Sequence, residues 1–130
     1  MSRMLSYVNV FAQDIHALSR FYIDIFGFEE IAEIASPIFV GIRTGQSNVG
    51  FNAPEVYGLL QIEDRKPEAG GAKFLLNFDV ESIEAVERMT EKAVARGAVL
   101  IKSPCRTYYN WYQSVLADIE DNIFRINHVI

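Results

Sequence analysis

The stretch Tyr7-Val-Asn-Val-Phe-Ala-Gln-Asp14-Ile15 decides the fold, because the chain repeats its pattern sixty-eight positions later as Leu75-Leu-Asn-Phe-Asp-Val-Glu-Ser82-Ile83. In both copies a two-residue alternation, the period of a strand, runs into a capping residue and then a helical pattern. Asn9 corresponds to Asn77, Val10 to Phe78, and the cap Asp14 to the cap Ser82. Each cap offers a side-chain oxygen to the free amides that open a helix. After the first cap, Ile15, Leu18, Tyr22, Ile25 and Phe26 recur at helical spacing, and Gly27 supplies a left-handed stop. After the second, Ile83, Val86, Thr90, Ala93 and Val94 do the same towards Gly97. A duplicated strand-helix unit predicts two half-modules with any pocket between them.

Working outward, residues 5–12 read as the first strand, and short strands are predicted at about 28–35, 37–43 and 48–53. Ser36-Pro37 and the turn from Thr44 to Asn48 divide them. In the second copy, strands are expected near 98–102, 111–117 and 122–128, with Asp118-Ile-Glu-Asp-Asn122 as a hairpin turn. Residues 54–71, polar and rich in Pro and Gly from Glu63 to Gly71, read as a loop. The expected organisation is a single domain over 1–130, with module one at about 4–54, a linker at about 55–71 and module two at about 72–130. The fold class is α+β: two βαβββ modules in tandem, forming a curved mixed sheet around a central cleft.

Composition narrows the function. The chain has 130 residues, half of them hydrophobic, and a net charge of -5 with its basic residues scattered. Scattered cations do not neutralise a phosphate backbone, so no nucleic-acid partner is expected. No apolar run is long enough to span a bilayer, and Met1-Ser-Arg-Met-Leu-Ser lacks the apolar core of a signal peptide, so no membrane association is expected. The single Cys105 excludes an internal disulfide and points to the cytoplasm.

Asp14-Ile-(x5)-Phe21-Tyr22-(x3)-Phe26-Gly27-Phe28, Arg96-Gly97-Ala98, Pro104 and Asp118-Ile-Glu-Asp-Asn122 occur in an order and spacing that resembles the vicinal oxygen chelate superfamily. That group includes glyoxalase I, extradiol dioxygenases and bleomycin-binding proteins. The resemblance covers essentially the whole chain. It implies metal ligands at matching points on the first and last strands of each module, which here read Tyr7, Phe51, Leu75 and Arg125. Phe, Leu and Arg provide no imidazole, carboxylate or thiolate donor, so no metal and no other cofactor is expected. Of the two histidines, His16 reads as a solvated helix start and His128 as a surface or dimer-contact residue. Cys105 has no evident partner base.

Strand parity places Tyr7, Asn9 and Phe11 on one face of the first strand. Leu75, Asn77 and Asp79 take the equivalent face, as do Arg125 and Asn127 on the last strand. The run Arg106-Thr-Tyr-Tyr-Asn-Trp-Tyr112 adds aromatic area with polar tips, in Tyr108, Tyr109, Trp111 and Tyr112. The predicted ligand-binding residues are Tyr7, Asn9, Asn77, Asp79, Tyr109, Trp111 and Arg125. Arg125 either anchors an acidic ligand or pairs with Asp79, and Asp79 in turn would suit a cationic ligand. Expected is a metal-independent small-molecule-binding protein, cytoplasmic and homodimeric, of the antibiotic- or metabolite-binding kind. The alternatives are a metal-dependent lyase or dioxygenase with a non-standard ligand set, and a metal-free catalyst using Tyr7 or Asp79 as base.

Overall fold

The computed structural model describes residues 3–68 and 71–130. Met1-Ser2, at the start of the stretch read as lacking a signal-peptide core, and Ala69-Gly70, in the predicted linker, lie outside the described residues. The chain forms two compact units, Met1–Glu68 and Ala69–Ile130.

The first unit runs β1 (Tyr7–Phe11), α1 (Ile15–Phe26), β2 (Glu29–Glu30), β3 (Phe39–Arg43), β4 (Asn48–Asn52) and α2 (Glu55–Leu59). The second runs β5 (Leu76–Asp79), α3 (Ile83–Ala95), β6 (Val99–Arg106), β7 (Trp111–Ala117) and β8 (Ile123–Val129). Their sheets are four-stranded and mixed, in the orders β1-β4-β3-β2 and β5-β8-β7-β6. In each, the first and last strands of the module pair in parallel and the remaining neighbours are antiparallel. The duplicated βαβββ unit read from the two quoted stretches is therefore the architecture.

The helix ends form as their sequences dictate. Asp14 accepts from the Ala17 amide at 3.0 Å and Ser82 from the Ala85 amide at 3.0 Å. Gly27 ends α1 at φ 75°, a left-handed conformation that costs a residue without Cβ little.

One face of each sheet packs on its helix. In unit one, Val10, Val40, Ile42, Val49 and Phe51 are buried with Leu18, Tyr22 and Ile25 of α1. In unit two, Leu76, Phe78, Phe124, Ile126 and Leu116 are buried with Ala85, Val86 and Ala93 of α3. A buried polar contact in that second layer is satisfied: Thr90 Oγ1 lies 2.7 Å from Ser114 Oγ and donates to the Val86 carbonyl.

Three boundaries differ from the reading of the sequence. The strand expected at 28–35 is only Glu29–Glu30, followed by a 3₁₀ turn over Ala32–Ile34. Ile31 and Ile34, three apart, both lean over Gly41, a spacing that suits a tight turn and not a pleat. The stretch read as a loop contains α2, whose Tyr57 is buried and stacks on Phe11 with ring centroids 3.9 Å apart. Pro54 before it favours a helix start. Finally, β6 runs on to Arg106 through Pro104. It is an edge strand with register shifts between Leu100 and Cys105, the setting in which a strand tolerates proline.

Candidate functional site

The face of the second sheet turned away from α3 is where polar side chains gather. Paired residues share a face, so the registers define rungs across all four strands. One rung is Asn77, Arg125, Val115 and Lys102; the next is Asp79, Asn127, Gln113 and Cys105. Trp111 lies two residues beyond Gln113 on β7 and so takes the same side.

These groups form one directed chain of hydrogen bonds. Tyr109 Oη donates to Gln113 Oε1 at 2.7 Å, and Gln113 Nε2 donates to Asn127 Oδ1 at 3.2 Å. Asn127 Nδ2 then donates to Asp79 Oδ1 at 3.0 Å, which also accepts from Asn77 Nδ2 at 3.1 Å. The direction follows from chemistry. An ionised carboxylate only accepts, so Asp79 turns the Asn127 amide group towards itself, leaving the Asn127 oxygen for Gln113 and the Gln113 oxygen for the phenol. Gln113 and Asn127 are buried, at 4% and 0% exposure, so these bonds hold their orientation against water. Asn77 and Asp79 are exposed at the open end of the chain.

Arg125 stands beside this strip without joining it. Its guanidinium carbon lies 6.0 Å from the centre of the Trp111 ring, and Tyr109 meets Trp111 edge-on at 5.2 Å. The ion pair with Asp79 that the sequence left open does not form: the carboxylate is held by the two amides, and Arg125 Nε is buried with no hydrogen-bond partner.

Five predicted residues of this module, Asn77, Asp79, Tyr109, Trp111 and Arg125, thus share one surface. Gln113 was missed, although the parity of β7 from Trp111 points to it. The other aromatics of the run lie elsewhere. Tyr108 is 97% exposed on the Thr107–Asn110 turn, where Asn110 adopts φ 61°. Tyr112 is on the helix side and donates to Glu87 at 3.3 Å. Burial, then the Glu87 charge and that hydrogen bond, raise its phenol above the ordinary 10.0. His128, also on the helix side, lies with Nδ1 2.9 Å from the Val80 carbonyl oxygen, a structural tie.

In the first unit, Tyr7, Asn9 and Phe11 share the face away from α1 with Asn48, Gly50, Asn52, Phe39 and Gly41. Tyr7 and Phe39 lie with ring centroids 6.3 Å apart. Asn9 Oδ1 and the Phe39 ring cover Gly50 so closely that a Cβ there would collide with both. Tyr57, unrecognised in the sequence because its segment read as loop, walls the end of this face against Phe11, with Lys66 Nζ 5.8 Å from its ring centre. Burial raises its phenol above the ordinary 10.0, and the Lys66 charge partly offsets that.

Register also corrects one of the four points at which the resemblance implied metal ligands. Arg125 pairs with Asn77, and Asn77 repeats Asn9, whose partner is Gly50. The counterpart of Arg125 is therefore Gly50, and Phe51 points into the helix layer against Tyr22. A phenol, a glycine, a leucine and an arginine do not make a site for a divalent cation, since only the first offers an oxygen and the last adds a fixed positive charge. Among the described residues no group of three His, Cys, Asp or Glu side chains is placed to hold a metal ion. Nor is any of their helices long and apolar enough to cross a membrane.

Comparison with known proteins agrees with this architecture. A family model for the Glyoxalase/Bleomycin resistance protein/Dioxygenase superfamily matches residues 4–126. The crystal structure of a glyoxalase/bleomycin resistance protein/dioxygenase family enzyme from Burkholderia phytofirmans PsJN is 56% identical, covers 96% of this chain and 98% of its own, and superposes with a TM-score of 0.93. A hypothetical protein of Staphylococcus aureus (19% identity, 98% and 94% coverage, TM-score 0.80) shares the fold. So does a lactoylglutathione lyase of Agrobacterium tumefaciens (16%, 98% and 94%, TM-score 0.70). No curated protein matches the chain. Matched over nearly its whole length by the family model and by a relative of high identity, the chain belongs to the Glyoxalase/Bleomycin resistance protein/Dioxygenase superfamily.

Proposed function

We propose that this protein binds an organic small molecule on the open face of its second module, without a metal ion. The observation that carries the reading is the directed hydrogen-bond chain from Tyr109 through Gln113 and Asn127 to Asp79. Buried amides held in one orientation, next to an indole and a guanidinium, are the few fixed polar groups among apolar walls that small-molecule sites use. The donor set supports the metal-independent part: amides, a phenol, an arginine and a single carboxylate bind polar organic groups better than they bind zinc, nickel or manganese.

Elemental analysis and ligand titration test this together. Protein purified without chelator is expected to carry no stoichiometric metal, and binding of a hit from a fragment screen is expected to survive EDTA. A tightly held ion on each chain, with binding lost on chelation, would overturn the reading and send the protein to metalloenzyme assays. Asp79→Asn separates binding from general-base catalysis. It should weaken affinity through the disturbed amide chain, whereas a catalyst would lose turnover and keep affinity.

A further inference from the structure

We infer that the ligand carries a carboxylate, received by Arg125, on a planar apolar body that lies along Trp111 and Tyr109. The inference rests on the proposed small-molecule reading and chooses the charge that the sequence left open.

Arg125 is a permanent cation on a half-buried strand position. No ion pair or hydrogen bond from its side chain forms among the described residues, and its Nε is buried unpaired. Buried donors are rarely left so, because each forfeits its bond to water. The nearest carboxylate on its face, Asp79, is a diagonal neighbour in the β5–β8 ladder, within an arginine's reach. Its Oδ1 nevertheless accepts from Asn77 and Asn127, and Arg125 makes no polar contact with it. The remaining acids of the module with assigned partners are also committed: Glu81 to Arg88, Glu87 to Tyr112 and Asp118 to the Asn122 side chain and amide.

Lys102 lies on the same rung as Arg125, with Val115 between, so the row has two positive side chains. A cationic ligand would meet two positive side chains on this row, with Asp79 Oδ1 already accepting from two amides. An anion would meet it with the charge unspent. The planar fork of Arg125 accepts a carboxylate through two parallel N–H groups. The indole beside it supplies the flat surface on which an attached ring would stack.

The test is a screen of matched triplets: benzoate, benzamide and benzylamine, with their naphthalene and indole analogues, plus inorganic phosphate. Trp111 is the only tryptophan, so its indole N–H resonance reports this site alone. The acids should shift it and bind at least about tenfold more tightly than their amides, the scale of one charge-assisted hydrogen bond. Arg125→Gln should erase that preference, Arg125→Lys should keep part of it, and Arg88→Gln on α3 should leave it intact. Near-ultraviolet circular dichroism establishes that each variant is folded, and the lysine variant keeps the test decisive if the glutamine variant is not. Amides or amines binding as well as acids, or an unchanged preference in Arg125→Gln, would overturn the carboxylate while leaving small-molecule binding standing. Phosphate displacing the acids at equal concentration would overturn the preference for a singly charged planar group. A silent Trp111 resonance with every probe would overturn both the carboxylate and the site on which it rests.

Discussion

Asn127 and Gln113 are expected to depend on each other, and a double-mutant cycle measures by how much. Asn127 is fully buried, donates to Asp79 and accepts from Gln113. Asn127→Leu keeps the volume and removes both bonds. The bond to a carboxylate is of the class worth about 1.5–3 kcal/mol, taken at the low end because Asp79 is exposed and water replaces part of it. The second loss strands Gln113 Nε2 away from water, which costs about 1–3 kcal/mol. Together these put Asn127→Leu near 3 kcal/mol. Gln113→Leu strands the Asn127 oxygen, while the exposed Tyr109 phenol turns to solvent, for about 2 kcal/mol. In the double variant neither amide is left orphaned, so both stranding penalties disappear and only the bond to Asp79 is lost; the pair should cost about 1.5 kcal/mol, not 5, a coupling of about 3.5 kcal/mol. Urea unfolding resolves this easily against a total stability of about 5–15 kcal/mol, provided the slopes agree among the four proteins. Additivity to within about 0.5 kcal/mol would refute the connected chain and mean that the two amides are separately satisfied.

Stability should also fall as pH rises above the ordinary tyrosine value. The phenols of Tyr112 and Tyr57 are both held above 10.0, so beyond that pH the unfolded chain has released protons that the native state keeps. Their contribution is fully present below pH 10 and is lost as pH climbs through the raised values. Tyr112→Phe should be less stable near neutrality, for want of the Glu87 bond, yet lose less on going alkaline, and an equal alkaline slope would refute the assignment. Gly50→Ala should cost about 1–3 kcal/mol in thermal unfolding, since its Cβ would lie 2.6 Å from Phe39 Cε1 and inside contact distance of Asn9 Oδ1. A neutral effect would mean that both side chains move aside freely. We propose self-association through β6, an edge strand with Val99, Leu100 and Ile101 exposed at 62%, 40% and 56%. Ile101→Lys should convert a sedimenting dimer to a monomer, and a wild-type chain that sediments as a monomer refutes the proposal.

What could be read in the sequence was whatever depended on local period and on the repeat. The alternation around Asn9 and Asn77, the caps Asp14 and Ser82, and the stop at Gly27 each depend on a few neighbouring residues, and each formed where expected. The failures were of range. Ile31 and Ile34 carry a spacing of three inside a stretch rich enough in apolar residues to pass for a strand, and only the neighbour Gly41 shows which pattern wins. Tyr57 sits in a five-residue helix, too short for its period to stand out, and it is fixed by stacking on Phe11, a residue over forty positions away. In β4, aligning the turn asparagines of the two modules placed Phe51 one residue out of register. A slip of one residue moves a side chain to the opposite face, which is how a helix-layer phenylalanine took the place of Gly50 on the open side.

That correction bears on what kind of site this can be. Arginine and the carboxamides of Asn77, Gln113 and Asn127 keep one protonation state through the neutral range. The two histidines, the side chains whose ordinary chemistry suits proton shuttling near neutrality, are both off this face: His16 is exposed in the first turn of α1, and His128 is tied to the Val80 carbonyl on the helix side. A surface of fixed dipoles and one fixed charge is well made for recognition, because nothing in it must gain or lose a proton for a ligand to fit. Catalysis asks for the reverse, a group that changes state during turnover and a partner placed to restore it. Asp79, the carboxylate of the strip, keeps an oxygen that neither amide engages, and it sits at the exposed end of the hydrogen-bond chain. The same amide chain that orients the buried carboxamides also holds the Asp79 carboxylate at its exposed end, and on that ground we propose a protein that retains its ligand and does not transform it.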